Sequence, residues 1–167
     1  MIGPSCVVRA AAPGEDASCI DLWVSAVATR DGVAESGAVR ARALAKFGAD
    51  RVALVVAAEA DAGRPAGFAL VTAPGTGAPD DPADAAYLSL LAVDPRAQGR
   101  GLGRALLAAA VDAAARAGYP RCLLHALEDN GPALGLYRSA GFRPVGEPFP
   151  HALSGRPTRT WVATPSE

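Results

Sequence analysis

The sequence is poor in cysteine and in aromatic residues. It contains three cysteines, and phenylalanine, tryptophan and tyrosine together make up 5% of the chain. Cys6, Cys19 and Cys122 are scattered and odd in number, which argues against a disulfide framework and against a paired-cysteine metal site. This usage is typical of a reducing compartment. Half of the residues are hydrophobic, which is enough for a core, and because alanine is abundant and aromatics are few, we expect much of that core to consist of small side chains.

The sequence also lacks an excess of charge of one sign and any long apolar run. It has 16 basic and 17 acidic residues among 167, for a net charge of −1, which argues against a broad basic face for nucleic acid. No uncharged stretch approaches the ~20 residues needed to cross a bilayer, and no signal-peptide pattern opens the chain. We therefore expect a cytoplasmic protein with no nucleic-acid or membrane partner, folded as a single domain over residues 1–167.

The most informative stretch is residues 87–103, which read YLSLLAVDPRAQGRGLG. Its first seven residues form a short apolar run typical of a buried strand, and Asp94-Pro95 ends that run. Residues 98–103 then carry glycine at every second position and lead into an apolar helix. Successive backbone N–H groups and the positive end of the helix dipole form a phosphate site in such a turn.

The glycine spacing distinguishes between kinds of phosphate motif. A P-loop needs Gly-Lys followed by Ser or Thr, whereas Gly103 is followed by Arg104. A dinucleotide fingerprint that starts at Gly99 would need a glycine where Arg104 stands. The spacing that fits is Q/R-x-x-G-x-G/A, at Gln98, Gly101 and Gly103. Behind a Leu-Ala-Val strand end, this segment resembles the acetyl-CoA motif of the GNAT N-acetyltransferase superfamily.

A second motif supports the same resemblance. Residues 130–142 read N-x-x-A-x-x-x-Y-x-x-x-G-F, with Asn130, Tyr137 and Phe142 at the positions where GNAT enzymes carry a similar run after the fifth strand. Two motifs in the right order are more specific than either one alone. The two motifs that carry the resemblance lie within residues 87–142. The order of the predicted strands and helices also resembles that of the family, from residue 7 onward.

The predicted elements agree with a GNAT-like α/β (α+β type) fold. We expect a mixed, mostly antiparallel sheet of six to seven strands with helices on both faces and with strands 4 and 5 splayed. Strand, helix and strand from 87 to 127 form a βαβ unit, which should be a right-handed parallel crossover. Residues 74–84 and 146–157 are rich in proline and glycine and are predicted to be loops. Strands are predicted at 6–10, 51–58, 66–72, 87–93, 121–127, 142–145 and 158–163, and helices at 17–28, 35–47, 102–117 and 130–140.

The resemblance implies how acetyl-CoA would be held. The end of the fourth strand would offer backbone groups to the pantetheine arm, the glycine turn would bind the pyrophosphate, and an asparagine would hydrogen-bond the pantetheine. The implied cofactor-binding residues are Leu91, Ala92, Val93, Gln98, Gly99, Arg100, Gly101, Leu102, Gly103, Arg104, Asn130 and Tyr137.

The resemblance further implies direct attack of a primary amine on the thioester within a ternary complex. Tyr137, whose hydroxyl has an unperturbed pKa of about 10, would give a proton to the departing sulfur. A backbone N–H near Val93 would polarise the carbonyl. Neither a metal nor a covalent enzyme intermediate is required. The acceptor stays open among small amines, antibiotics, amino acids and protein N-termini.

Several questions stay open at this point. Many family members place a glutamate on the fourth strand as the base, whereas this chain has Tyr87 and Ser89 there. A lone histidine in a strand pattern is more typical of a structural role, so His125 is left out of the predicted site. A catalytically inactive acyl-CoA-binding module, a nucleotide-binding domain of another fold, and a homodimer stay as alternatives. The candidate substitutes for the missing base are Glu35, Asp84, His125 and Glu128.

Overall fold

The described part of the chain forms one seven-stranded sheet with four α-helices. The computed structural model describes residues 6–59, 64–151 and 154–165. Spatially the strands follow the order β1-β2-β3-β4-β5-β7-β6. The elements are β1 Cys6–Ala10, α1 Asp16–Asp31, α2 Gly37–Phe47, β2 Arg51–Glu59, β3 Gly67–Thr72, β4 Ala85–Val93, α3 Leu102–Arg116, β5 Arg121–Leu127, α4 Gly131–Ser139, β6 Arg143–Pro150 and β7 Pro157–Ala163, with a short 3₁₀ turn at Pro95–Ala97.

The sheet is antiparallel at every junction except one. The pairs β1–β2, β2–β3, β3–β4, β5–β7 and β6–β7 are antiparallel, and only β4 and β5 run parallel. The parallel pair is joined through α3, because a parallel connection needs a crossover. The predicted mixed sheet and the predicted βαβ unit are therefore confirmed.

The parallel pairing is short. It joins only residues 85–87 of β4 to residues 121–123 of β5. Beyond that point β5 continues along β7, from Cys122 to Leu127, while β4 continues along β3 to Val93. The two strands diverge, so the predicted opening between the fourth and fifth strands is confirmed.

Helices cover both faces of the sheet, as predicted. On one face α3 buries Leu106, Leu107 and Ala110 against strand residues such as Val71. Apolar residues recur along α3 every three or four positions, so one side of the helix faces the sheet. On the other face α1 and α2 pack against a second core. That core includes Val24, Ala43, Phe47, Phe68 and Leu70.

The predicted loop at 146–157 is wrong in its first part. Strand β6 continues to Pro150 and pairs with β7, with an irregular register between Val145 and Phe149. Gly146 has φ +69° at that irregularity, a conformation that glycine adopts readily. Proline has no backbone N–H to donate to a neighbouring strand. Because β6 is an exposed edge strand, the sheet tolerates its prolines. Proline and glycine content therefore gave a misleading loop signal here.

The loop at 74–84 contains no helix or strand, but side-chain contacts fix it against the sheet. Thr76 Oγ1 lies 2.6 Å from Thr72 Oγ1, and the Ala78 N–H donates to Asp81 Oδ2 at 3.0 Å. A Cβ on Gly77 would lie 2.5 Å from Tyr87 Cε1, so only glycine lets the loop lie flat against that ring. Part of the other predicted turn, residues 61–63, falls outside the described residues.

Two glycines offer a matched test of the packing. A Cβ on the buried Gly67 would lie 2.9 Å from both Ala92 O and Leu106 Cδ1. Gly67→Ala is therefore expected to lower the free energy of unfolding by about 1–3 kcal/mol through overpacking. Gly135, inside α4, has nothing within 4 Å of its Cβ position. Gly135→Ala should raise stability by about 0.5–1 kcal/mol. The urea unfolding midpoint should fall for Gly67→Ala and rise for Gly135→Ala. Equal shifts of the midpoint in the two variants would contradict the close packing at Gly67.

Candidate functional site

A cavity of about 550 Å³ lies at the opening between β4 and β5. Its walls come from the end of β4, the glycine turn, the first residues of α3 and α4, and one side of α1. The lining residues are Trp23, Ala26, Val27, Arg30, Leu91, Ala92, Val93, Gln98, Gly99, Gly101, Leu102, Gly103, Arg104, Asn130, Pro132, Ala133, Leu136 and Tyr137.

The glycine turn and the first residues of α3 line this cavity. Gly99 and Gly101 have φ values of +84° and +78°, which side chains oppose, and Gly101 is the N-cap of α3. The first hydrogen bond of the helix runs from Ala105 N to Gly101 O at 3.1 Å. The N–H groups of residues 102–104 therefore have no partner within the helix. Together with the helix dipole they form an anion site.

Gly103 serves a second purpose, because it lets α4 approach α3. A Cβ at this position would lie 3.1 Å from Leu136 Cδ2. The close approach brings the start of α4 to the cavity and places Asn130 and Tyr137 on its wall. The alternating glycines are thus explained partly by backbone conformation and partly by helix packing, as well as by access for an anion.

Gln98, Arg104 and Asn130 line the cavity and make no side-chain hydrogen bond within the described part of the chain. Asn130 occupies the N-cap position of α4, but its side chain makes no capping hydrogen bond. The amide therefore remains available to a ligand, and the same holds for the guanidinium of Arg104.

Tyr137 lies on α4 with its ring edge-on to Phe142, at 6.3 Å between centroids. Burial raises the pKa of its hydroxyl above the usual value, while the nearby charge of Arg30 opposes that shift. A tyrosine with a raised pKa stays protonated at neutral pH. Its hydroxyl makes no hydrogen bond with a described residue, so it can donate to a group bound in the cavity.

Arg100 differs from the other predicted cofactor-binding residues, all of which line the cavity. Its guanidinium points away from the opening and lies 3.5 Å from Glu59 on β2. Both side chains are partly exposed, so this pair contributes little to stability. The positive charge at the cavity therefore comes from Arg104 and Arg30.

None of the four candidate bases lines this cavity. Asp84 pairs with Arg121 at 3.1 Å, and Glu128 pairs with Arg159 at 2.7 Å. Glu35 lines a separate cleft. His125 is held as well, between Asp81 and Thr160.

His125 belongs to a polar cluster that the sequence prediction left out of the site. We call Lys46, Asp81, Tyr87 and His125 the Tyr87 cluster, because the tyrosine ring contacts two of the others. The His125 ring lies 5.4 Å from the Tyr87 ring, and Lys46 Nζ lies 5.7 Å above it. The alternation in β5 places His125 and Leu123 on one face. No sequence signal pairs His125 with Asp81, 44 positions earlier.

Comparison with curated proteins finds acetyltransferases. The chain is 43% identical over 94 residues to a mycothiol acetyltransferase of Clavibacter sepedonicus, which covers 56% of this chain and 28% of that protein. It is 46% identical over 68 residues to a mycothiol acetyltransferase of Beutenbergia cavernae, which covers 41% of this chain and 22% of that protein. The matches therefore span less than a third of the length of these relatives.

Solved structures share the fold over almost the whole chain. One is the ribosomal-protein-S18-alanine N-acetyltransferase from Escherichia coli, with a TM-score of 0.71 and 20% identity over 98% of this chain and 96% of that one. Another is a putative acetyltransferase from Salmonella typhimurium with its cofactor acetyl-CoA, with a TM-score of 0.70 and 20% identity over 98% and 95%. At this identity the likeness shows the fold alone.

The family model of the GNAT acetyltransferases matches well over half of the chain. It covers residues 25–142, which include β4, the glycine turn, α3, β5 and α4. The predicted resemblance and the predicted acyltransferase class are confirmed at the level of the family. This chain belongs to the GNAT acetyltransferase family.

Proposed function

We propose that the protein transfers an acetyl group from acetyl-CoA to a primary amine by direct attack within a ternary complex. One observation supports this proposal more strongly than the others. The cavity where β4 and β5 diverge joins unpaired strand backbone to the N-terminus of α3. An extended, phosphate-bearing thioester fits such a cavity, because one part needs strand-like hydrogen bonds and the other needs an anion site.

The cofactor would run along the edge of β4. Backbone groups of residues 91–93 lie on the cavity wall, beyond the last β5 pair, and can bond the amide groups of the pantetheine arm. The pyrophosphate would lie at the N–H groups of residues 102–104, near Arg104. Asn130, whose side-chain amide makes no capping hydrogen bond to α4, would hydrogen-bond the pantetheine.

The chemical step needs a proton for the leaving group. The ammonium form of the acceptor first loses a proton to solvent water. The neutral amine nitrogen then attacks the thioester carbonyl carbon, and collapse of the tetrahedral intermediate breaks the C–S bond. The thiolate then takes the proton of the Tyr137 hydroxyl, and the tyrosinate is neutralised by a proton that the amine releases. The raised pKa of Tyr137 keeps that proton in place before the step.

The similar proteins bear on the identity of the acceptor, and the position of Tyr137 bears on the alternative of an inactive acyl-CoA-binding module. The mycothiol acetyltransferase match covers 28% of that protein, so it supports acetyl transfer and does not assign the acceptor. An inactive acyl-CoA-binding module would need no proton donor beside the thioester. The unbonded hydroxyl of Tyr137 on the cavity wall favours the enzyme.

The cofactor site is tested by calorimetry with acetyl-CoA. Arg104→Ala removes the cation at the anion site and is expected to weaken binding about tenfold, with the larger effect at low salt. Arg116→Ala is the matched control, because Arg116 is exposed at the far end of the same helix. ATP and NADH titrations should show no binding. Equal effects of the two substitutions, or no acetyl-CoA binding by the folded protein, would contradict the site.

The proton donor is tested by Tyr137→Phe. We expect kcat to fall about 10²–10⁴-fold while acetyl-CoA affinity stays within about twofold, because only the hydroxyl is lost. Tyr119→Phe, outside the cavity, removes a hydroxyl as a control and should leave kcat unchanged. Release of free thiol with an amine panel provides the rate. An unchanged kcat in the Tyr137→Phe variant would show that another group protonates the sulfur.

A further inference from the structure

The Tyr87 cluster contains opposite charges on the face of the sheet that α2 covers. Lys46 comes from α2, Asp81 from the loop at 74–84, Tyr87 from β4 and His125 from β5. Tyr87 is the last residue of β4 that pairs with β5, so the cluster stands where the two strands begin to diverge. Side chains from four separate elements meet here, and the wall of the cavity already described begins four residues further along β4, at Leu91.

The carboxylate of Asp81 is fixed through one oxygen only. His125 Nε2 lies 2.9 Å from Asp81 Oδ2, and the Ala78 N–H donates to the same oxygen at 3.0 Å. Since a carboxylate only accepts, Nε2 carries the hydrogen in the neutral ring, and Nδ1 accepts from the Thr160 hydroxyl at 3.0 Å. Asp81 Oδ1 makes no hydrogen bond within the described residues and is left to accept from a ligand.

Lys46 is a half-buried cation for which the described residues offer no carboxylate. Its contacts are Ser89 O at 3.4 Å and the face of the Tyr87 ring at 5.7 Å. Burial lowers its pKa to about 8, and the neighbouring charge of Arg42 adds to that shift. A cation removed from water and left without an anion is costly, and a bound carboxylate would relieve that cost.

The cluster is electrostatically coupled to the proposed proton donor. Burial raises the pKa of Tyr87 to about 12, and the charges of Asp81 and of an ionised Tyr137 act in the same direction. Tyr87 is therefore within electrostatic reach of both the open carboxylate and the cavity tyrosine. A molecule bound at the open oxygen of Asp81 would lie where β4 and β5 begin to diverge, and the cavity wall begins four residues further along β4, at Leu91.

We propose that the acceptor is a primary amine that also carries a carboxylate, in the manner of an amino acid or a short peptide. Its ammonium group binds Asp81, and its carboxylate binds Lys46. This inference rests on the proposed function, since it names the substrate class of the same site. His125 is a positioning residue that holds Asp81. An amine without a carboxylate would leave Lys46 unpaired and bind less well.

The first test compares substrates. L-Amino acids and dipeptides, each paired with its own C-terminal amide, are assayed for thiol release from acetyl-CoA. The best free acid is expected to exceed its amide at least tenfold in kcat/KM, in line with a hydrogen bond to a charged group. Lys46→Met should abolish that preference, while Arg116→Met, on the exposed end of α3, should retain it.

The second test addresses the amine. Asp81→Asn keeps the shape and should raise the KM for acid and amide alike by about tenfold or more, with acetyl-CoA affinity unchanged. His125→Ala should raise the KM in the same direction with a smaller change in kcat, and His125→Gln, which keeps a donor, should restore part of it. Calorimetry and thermal unfolding confirm that each variant is folded and binds the cofactor.

The outcomes separate this inference from the proposed function. Equal rates for acids and amides, a preference that survives Lys46→Met, or turnover of uncharged amines alone would overturn the inference and leave the acetyltransferase intact. Acetyl-CoA binding without turnover of any amino acid or dipeptide would overturn it as well. A failure to bind acetyl-CoA would instead overturn the proposed function.

Discussion

The site depends on a parallel strand pairing that stops after three residue pairs. Strands in a sheet normally satisfy their backbone groups along their whole length, and a buried group without a partner costs free energy. Here β4 leaves β5 after Tyr87, while β5 keeps β7 as its neighbour. The edge of β4 that faces the opening therefore lacks a strand partner. The proposed cofactor, lying in the cavity as an extended chain, would supply those hydrogen bonds.

The cofactor side of the fold was predictable because its signals are local in sequence. The strand at 87–93, the stop at Asp94-Pro95 and the glycine turn follow one another within 17 residues, and the spacing of glycines defines the turn. Gly99 and Gly101 adopt positive φ values, which makes the turn readable from residue type alone. The motif at 130–142 is equally local. These segments, joined by a crossover, fix the order and direction of β4 and β5.

The contacts of the Tyr87 cluster were not predicted, since they join positions far apart in the sequence. The loop at 74–84 has the composition of a flexible segment, yet Gly77 lies against Tyr87 and Asp81 bonds His125. No periodicity links those positions, and only the folded sheet brings them together. Strand β6 shows the same problem in another form. Its glycine and prolines suggest a loop, but pairing with β7 on an exposed edge tolerates them.

The two sides differ because they use different parts of the chain for recognition. The proposed cofactor site relies on backbone N–H groups, which any sequence can present once the turn and helix have formed. The Tyr87 cluster relies on side chains from α2, a loop and two strands, so its chemistry can change at single positions without disturbing the glycine turn or α3. A change at Lys46 alters charge on the acceptor side and leaves the anion site as it is. One scaffold can therefore keep its acyl donor while its acceptors diverge, and acceptor identity must be sought in side-chain contacts.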